Sequence, residues 1–231
     1  MPYTVFIYAV LAGLVPSFIW LAFWLREDTR PEPRFMIALC FVSGALAVIP
    51  AIFLEKYIAG IVSDNSLTYS LWAMTEEVIK LFVIALVALQ SDYNDEPIDA
   101  MIYCVAVALG FAALENSLFI LGPLANGDVV ASVVNGSLRF IGATLVHVVS
   151  SSLIGFAIGY VFYRRSLAKF LAVIIGLCTA IALHAAFNLS IITASPAETL
   201  KTFGWIWGAV VILIVLFEEI KVVRPPIRTF D

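Results

Sequence analysis

The sequence has little charge for its length, and this scarcity decides its class. Charged residues occupy 13% of the 231 positions, 62% are hydrophobic, and the mean hydropathy is +1.03. A soluble domain carries about 25% charged residues. A chain this apolar cannot cover itself with polar surface, so lipid is its expected solvent. The length leaves room for about seven spans of about 20 residues, but not for a soluble domain beside them.

Other absences narrow the class further. Three cysteines, Cys40, Cys104 and Cys178, all lie in apolar runs, which argues against a disulfide framework and a thiolate metal site. Sustained period-two alternation is missing, so helices are expected rather than the strands of a barrel. The first residues, MPYTVFIYAV, have no basic stretch before their apolar run. We therefore interpret this run as a first span and not as a removed signal peptide.

What is present is a series of apolar runs separated by polar loops. Each run is long enough to cross about 30 Å of hydrocarbon as a helix. The predicted spans are 4–25, 35–54, 67–90, 98–121, 134–163, 170–193 and 203–223. The prediction is an all-α polytopic membrane protein with about seven transmembrane helices, which form one domain over residues 1–231.

Basic residues in the loops predict the orientation of the chain. If seven spans alternate, nine basic residues fall on one side, and Lys56 and Lys201 fall on the other. The nine are Arg26, Arg30, Arg34, Arg164, Arg165, Lys169, Lys221, Arg224 and Arg228. The C-terminus is therefore expected in the cytoplasm and the N-terminus outside.

Ionisable side chains also occur inside the predicted spans, where an unpaired charge costs at least about 2.5–3.5 kcal/mol. They are Glu76, Glu77, Lys80, Glu115, Arg139, His147 and His184. Both histidines of the chain belong to this set. These side chains must face one another or a water-filled cavity. We expect an inner group to converge on one cavity between spans three and six: Glu76, Glu77, His147 and His184.

The spacing of these residues along each helix predicts which side chains share a face. In TEEVIK, Glu76 and Lys80 are four residues apart and share a face, whereas Glu77 is turned by about 100°. Either glutamate can pair with Lys80 while the other faces the cavity. The fifth span carries Arg139, which could instead meet lipid headgroups, followed by His147 and Ser151. Near the end of the last span, Glu218 and Glu219 adjoin a basic tail without a histidine, and they are interpreted as an interfacial cluster.

Carboxylates and imidazoles together can activate water, since a glutamate can take the proton and a histidine can orient the water or protonate the leaving group. The amide of Asn116 or Asn188 could stabilise an oxyanion. Two histidines and a glutamate also meet the needs of a zinc site with an open position. No cofactor is firmly implied, but zinc or another divalent metal is a candidate, with Glu77, His147 and His184 as its ligands.

Several motifs resemble those of a known family. TEEVIK is similar to the EExxK motif of the PrsW family of intramembrane proteases, and GFAALEN is similar to its FxxxEN motif. His147 and the sequence HAAFN at 184–188 match its two histidine motifs in order. The loops TRPEPR and NDEPIDA look like its connectors, so the resemblance covers about residues 26–190. This family belongs with the glutamate-type membrane proteases, which include CAAX prenyl endopeptidases and abortive-infection proteins. HExxH, GxSxG and paired intramembrane aspartates are missing, which argues against other protease classes.

The resemblance implies an intramembrane endopeptidase. Its implied catalytic residues are Glu76, Glu77, His147 and His184, and its supporting residues are Glu115, Asn116, Asn188 and Lys80. It also implies a membrane-anchored protein substrate: an anti-sigma factor, cut on its extracytoplasmic side to start an envelope stress response. The lipid bilayer is the other expected partner, and neither nucleic acid nor a soluble cofactor is expected.

Two other functions remain open at this point. Intramembrane glutamates and histidines can form the proton relay of a transporter or channel, although the inverted repeats of many transporters are not evident here. A non-catalytic membrane scaffold would use its buried charges to pair with one another. Such a scaffold would place the inner residues on different faces, without a shared cavity.

Overall fold

The computed structural model describes residues 3–192 and 196–225, which form helices joined by short loops. The helices are α1 (Tyr3–Trp24), α2 (Arg34–Ile61), α3 (Asn65–Val87), α4 (Asp99–Ala125), α5 (Val129–Leu138), α6 (Thr144–Tyr160), α7 (Ser166–Ile192) and α8 (Pro196–Lys221). A π-helical turn, Arg139–Ala143, joins α5 to α6. Helix α5, the π-helical turn and α6 follow one another without a break and form one continuous helix. The described residues thus form seven continuous helices and no strand, and the all-α prediction is confirmed.

Six of these seven continuous helices, among the residues described, are long and apolar enough to cross a membrane. The remaining one, α3, has 23 residues, a length of about 35 Å as a helix. Its length would suffice, but it carries Glu76, Glu77 and Lys80 within its middle turns. The protein is therefore a multi-pass membrane protein in which the most polar helix holds the predicted site.

Helix α4 lies at the centre of the bundle. Every residue from 99 to 113 is buried, as expected for a helix that is surrounded on all sides. Glycines allow its neighbours to come close: a Cβ at Gly44 of α2 would collide with the backbone of Val107, and a Cβ at Gly110 of α4 with the backbone of Phe41. Small residues at helix crossings are typical of membrane bundles, where close packing replaces the hydrophobic effect.

Contacts between loops define one end of the bundle. Arg30 in the α1–α2 loop pairs with Glu96 in the α3–α4 loop at 2.5 Å. Lys221, at the end of α8, pairs with Glu27 at 2.9 Å. We call this end the loop-1 end. Because successive helices alternate in direction, the α2–α3 and α4–α5 connections lie at the opposite end.

Some helix bounds differ from the predicted spans. The fifth span begins at Val129 rather than at 134, because the Asp128 side chain caps it by accepting a hydrogen bond from Ala131 N–H at 2.9 Å. The last begins at Pro196 rather than at 203, and proline is well suited to the first turn of a helix. The predicted span end at residue 193 and the basic residue Arg228 lie outside the described residues.

Candidate active site

Glu77 is fully buried, and both of its carboxylate oxygens are hydrogen-bonded. Oε1 accepts from Lys80 Nζ at 2.8 Å and from His184 Nδ1–H at 2.8 Å, while Oε2 accepts from the Ser151 hydroxyl at 2.9 Å. Nδ1 of His184 must carry a proton to donate to a carboxylate, so in the neutral imidazole Nε2 keeps its lone pair. Glu77 therefore fixes the orientation and the tautomer of His184.

Glu76 faces a different direction and lines a cavity of about 530 Å³. Its Oε2 is buried and has no hydrogen-bond partner. This oxygen lies 3.5 Å from Lys80 Nζ, 3.6 Å from His147 Nδ1 and 3.8 Å from His184 Nε2. Of the two arrangements that the sequence left open, the structure shows Glu77 paired tightly with Lys80 and Glu76 facing the cavity.

His147 is held on both sides of its ring. Lys80 Nζ lies 2.8 Å from Nδ1, and Glu115 Oε2 lies 2.8 Å from Nε2. An ammonium group can only donate, so Nδ1 accepts from Lys80, and Nε2–H donates to Glu115. Arg139 pairs with the same Glu115 oxygen and also donates to Asn116. A chain of hydrogen bonds thus runs from α3 through α6 to α4 and the π-helical turn.

Helical spacing explains how α6 meets α3. His147 and Ser151 are one turn apart and share a face, so His147 contacts Lys80 while Ser151 contacts Glu77. The π-helical turn immediately before α6 begins at Arg139. Single π-turns inside α-helices occur frequently at functional sites. Here the turn holds the guanidinium beside the Glu115 carboxylate on the cavity wall.

The supporting residues predicted from the sequence occupy different positions. Asn188 lines the cavity, one turn beyond His184. Asn116 is buried, and its amide N–H donates to Thr144 Oγ1 at 2.9 Å while its carbonyl accepts from Arg139. Asn116 therefore orients Arg139 and is not on the cavity wall.

Other polar residues also depart from what the sequence suggested. Arg139 does not lie at the lipid headgroups but lines the cavity, where it pairs with Glu115. Glu55 follows the predicted second span, but α2 continues to Ile61, which brings Glu55 onto the cavity wall. No role was predicted for Ser151, although its position one turn after His147 indicates that the two side chains share a face of the helix. Glu218 is exposed near the loop-1 end, apart from this site.

The geometry of three side chains fits a divalent metal. Glu76, His147 and His184 each offer one ligand atom, and these atoms lie within 4.8 Å of one another. Two imidazoles and one carboxylate with a position left open form a catalytic zinc set. The bond from His184 Nδ1–H to Glu77 is the outer contact that orients a ligating imidazole. The sequence named Glu77 in this set, whereas the structure brings Glu76 to it, because Glu77 is turned toward Lys80.

The chain is similar to proteins of one known family. The model of the PrsW family intramembrane metalloproteases matches residues 32–217. "Protease PrsW" of Geobacillus kaustophilus (strain HTA426) is 32% identical over 163 residues, which cover 69% of this chain and 67% of that protein. "Protease PrsW" of Bacillus subtilis (strain 168) is 30% identical over 117 residues, and the match spans 49% of this chain and about half, 54%, of that relative.

A third relative is matched over more of its length. "Protease PrsW" of Shouchella clausii (strain KSM-K16) is 24% identical over 186 residues, which cover 78% of this chain and 81% of that protein. No solved structure matches the chain significantly. The family match includes all of α3, α4, α6 and α7, the helices that carry the buried ionisable side chains. This chain therefore belongs to the PrsW family of intramembrane metalloproteases and is a peptidase of the membrane.

Proposed function

We propose that the chain hydrolyses a peptide bond of a membrane-anchored protein in the cavity lined by Glu76, His147 and His184. One observation carries this proposal: the buried, unpartnered Oε2 of Glu76 lies within 3.8 Å of both histidines. A buried carboxylate oxygen without a partner is costly. It is retained where it binds a ligand or takes part in a reaction.

The two adjacent glutamates would have different roles. Oε2 of Glu76 and Nε2 of His184 both have available lone pairs 3.8 Å apart, so one water molecule can be hydrogen-bonded to both. Glu76 would then accept a proton from this water as it attacks the substrate carbonyl. Glu77 would act as a positioning residue, because its bonds hold His184 and Lys80 in place.

The cavity wall also offers donors for the negative charge that develops on the carbonyl oxygen. Asn188 and Arg139 both line the cavity and carry N–H groups. Preorganised N–H donors at such an oxyanion typically contribute about 10²–10³-fold to the rate. Asn188 is the candidate from the sequence, and Arg139 is a second candidate from the structure.

The divalent metal implied by the family description would be held by one atom each of Glu76, His147 and His184, so Glu76 would ligate through one carboxylate oxygen and keep the other to accept the proton of the water. When bound, it would supply Lewis-acid polarisation of the scissile carbonyl. For His147 to offer Nδ1, Lys80 must release that nitrogen and keep its bond to Glu77, which is also 2.8 Å away. Zinc is the metal that best suits two imidazoles and one carboxylate.

The direction of the cavity supports an extracytoplasmic cleavage site. Its lining includes Tyr69 and Thr199, near the beginnings of α3 and α8, so it extends toward the end opposite the loop-1 end. Glu76 lies 11 residues after Asn65, about 16 Å along the helix axis. With the C-terminus in the cytoplasm, as the basic loops favour, this side faces outward. An anti-sigma factor cleaved in an envelope stress response, the substrate that the resemblance implies, would enter from there.

Cleavage in proteoliposomes tests this function. The purified chain is reconstituted with a single-span anti-sigma factor, and the products are identified by mass spectrometry. We expect cleavage by the wild type and by the control variant Glu218→Gln, whose carboxylate is at the surface. We expect at least a 100-fold loss in His184→Ala, a magnitude in the range of general acid–base contributions. Cleavage at the wild-type rate by both Glu76→Gln and Glu77→Gln would refute the proposal.

A further inference from the structure

Glu55 is the carboxylate of the cavity that the proposed chemistry does not use. It lies on α2, six residues before Ile61, with its side chain on the cavity wall. Its neighbours Phe53 and Leu54 are 69% and 47% exposed and face the lipid, whereas Glu55 is half-buried and faces inward. An ionisable side chain that faces the interior of a membrane bundle generally has a functional partner.

Each of the other two carboxylates on this wall has a cationic group nearby. Glu115 pairs with Arg139, and Lys80 Nζ lies 3.5 Å from Glu76 Oε2, beyond hydrogen-bonding distance. Among the side chains described for residues 3–191 and 198–225, none forms an ion pair with Glu55. The wall therefore presents three carboxyl groups and one guanidinium, and Glu55 is the carboxyl group without an ion-pair partner among the described side chains.

Two aromatic side chains line the same cavity as this carboxylate. Tyr69 and Trp72 of α3 line the same cavity, and their ring centroids are 5.3 Å apart in an edge-to-face arrangement. The indole N–H of Trp72 donates to the backbone carbonyl of Glu55 at 3.1 Å, which fixes the ring beside it. A carboxylate, a Trp and a Tyr that line one cavity are a combination that can bind a cation through charge and cation–π attraction.

We infer that Glu55, Tyr69 and Trp72 form a substrate subsite that accepts a lysine or arginine side chain near the scissile bond. This inference rests on the proposed peptidase function, to which it adds a side-chain specificity. Glu55 is a specificity-determining residue, because it contacts the substrate side chain and not the reacting atoms.

Helix geometry sets the position of the basic residue in the substrate. Trp72 and Tyr69 precede Glu76 by four and seven residues on α3, which corresponds to about 6 and 10 Å along the axis. An extended substrate advances about 3.3 Å per residue. The basic side chain should therefore lie about two or three residues from the cleaved bond.

Synthetic single-span peptides test the subsite in nanodiscs that contain the full chain. At each position near the membrane boundary, the peptides carry lysine, glutamate or norleucine, which has a similar apolar stem but no charge. We expect wild-type cleavage to be about tenfold or more faster with lysine at one position, the size of one charged hydrogen bond. Glu55→Gln should remove this preference, so that the lysine and norleucine peptides are cleaved at equal rates, and Glu55→Lys should favour glutamate. Asp92→Asn, which removes one charge at the loop-1 end, is the matched control.

Binding of the same peptides separates this inference from the proposed function. Fluorescence polarisation in the Glu76→Gln background should show about tenfold tighter binding of the lysine peptide than of the norleucine peptide. Adding Glu55→Gln should abolish that difference. Equal binding of the two peptides in the Glu76→Gln background, or a preference that survives Glu55→Gln, overturns the subsite. If binding shows the preference but the wild type cleaves no peptide, the subsite stands and the peptidase proposal fails.

Discussion

Glu76 and Glu77 are adjacent and chemically identical, but consecutive helix residues point about 100° apart. The environment of Glu77 supplies three hydrogen bonds, whereas Oε2 of Glu76 has none. A bonded carboxylate holds its neighbours in place, and an unpartnered one is available to a ligand or a proton. At the residue scale, we therefore propose that Glu77 positions its neighbours and that Glu76 takes part in the reaction.

This division predicts different effects on stability. Glu77→Gln leaves Lys80 and His184 without their buried anion, and removal of one member of a buried pair costs about 3–5 kcal/mol. Glu76→Gln removes a buried charge whose Oε2 lacks a hydrogen bond, so the free energy of unfolding should fall less than in Glu77→Gln or should rise. Both variants should lose cleavage by at least about 100-fold. Thermal unfolding in detergent would contradict the assignment if Glu76→Gln were the less stable variant.

Ser151 offers a second test with a control in the next residue. Its hydroxyl donates to Glu77 Oε2 at 2.9 Å, whereas the equally buried hydroxyl of Ser152 has no hydrogen-bond partner. Ser151→Ala should lower the free energy of unfolding by about 1–3 kcal/mol and slow cleavage, because a buried acceptor is left unsatisfied. Ser152→Ala should be neutral or slightly stabilising. Equal effects of the two substitutions, measured by unfolding and cleavage, would contradict a positioning role for Ser151.

At the scale of elements, the sequence predicted the helices well but their ends less well. Apolar runs are long enough to show where helices lie, whereas their ends depend on local contacts such as the Asp128 cap. The extension of α2 past Glu55 was missed because Glu55 and Lys56 look like the start of a loop. In the structure, Glu55 faces the cavity inside the bundle and the helix continues. Charge in a membrane helix ends an apolar run without ending the helix.

Close helix crossings predict a contrast between two glycines. A Cβ at Gly110 would meet the backbone of Phe41, while a Cβ at Gly60 would meet nothing within 4 Å. Gly110→Ala should cost about 1–3 kcal/mol because α2 and α4 must move apart. Gly60→Ala should be neutral or stabilise by up to about 1 kcal/mol, since alanine is the better helix former. The melting temperatures of the two variants in detergent measure this contrast, and a stable Gly110→Ala protein would refute the packing argument.

At the scale of the whole molecule, the buried charges explain how the bundle and the site depend on each other. Spacing within each helix could be read from the sequence, and the structure brings three of the residues in the motifs, Glu76, His147 and His184, to one cavity. The pairing across helices, such as Ser151 with Glu77 or Arg139 with Glu115, depends on how α3, α4 and α6 pack. A sequence contains no distances between side chains on different helices, so it left open which of the two glutamates faces the cavity.

The orientation of the whole chain is a prediction from its basic residues. Asn126 lies in the α4–α5 connection and Asp92 at the loop-1 end, and both are exposed. After Cys178, the exposed native cysteine, is replaced by alanine, single cysteines are introduced at these two positions. A membrane-impermeant maleimide should label Asn126→Cys in intact cells, and Asp92→Cys only after permeabilisation. The reverse pattern would place the cavity mouth in the cytoplasm and would contradict an extracytoplasmic cleavage site.

We propose that Glu76 and His184 act together in one reacting centre. Groups that act as a unit have strongly non-additive effects on the rate. The decisive measurement is the cleavage rate of one membrane-anchored reporter by the wild type, Glu76→Gln, His184→Ala and the double variant in proteoliposomes. Each single substitution should slow cleavage by at least about 100-fold, and the double variant should be no slower than the slower single variant. Losses that multiply, or full activity in either single variant, would contradict this proposal.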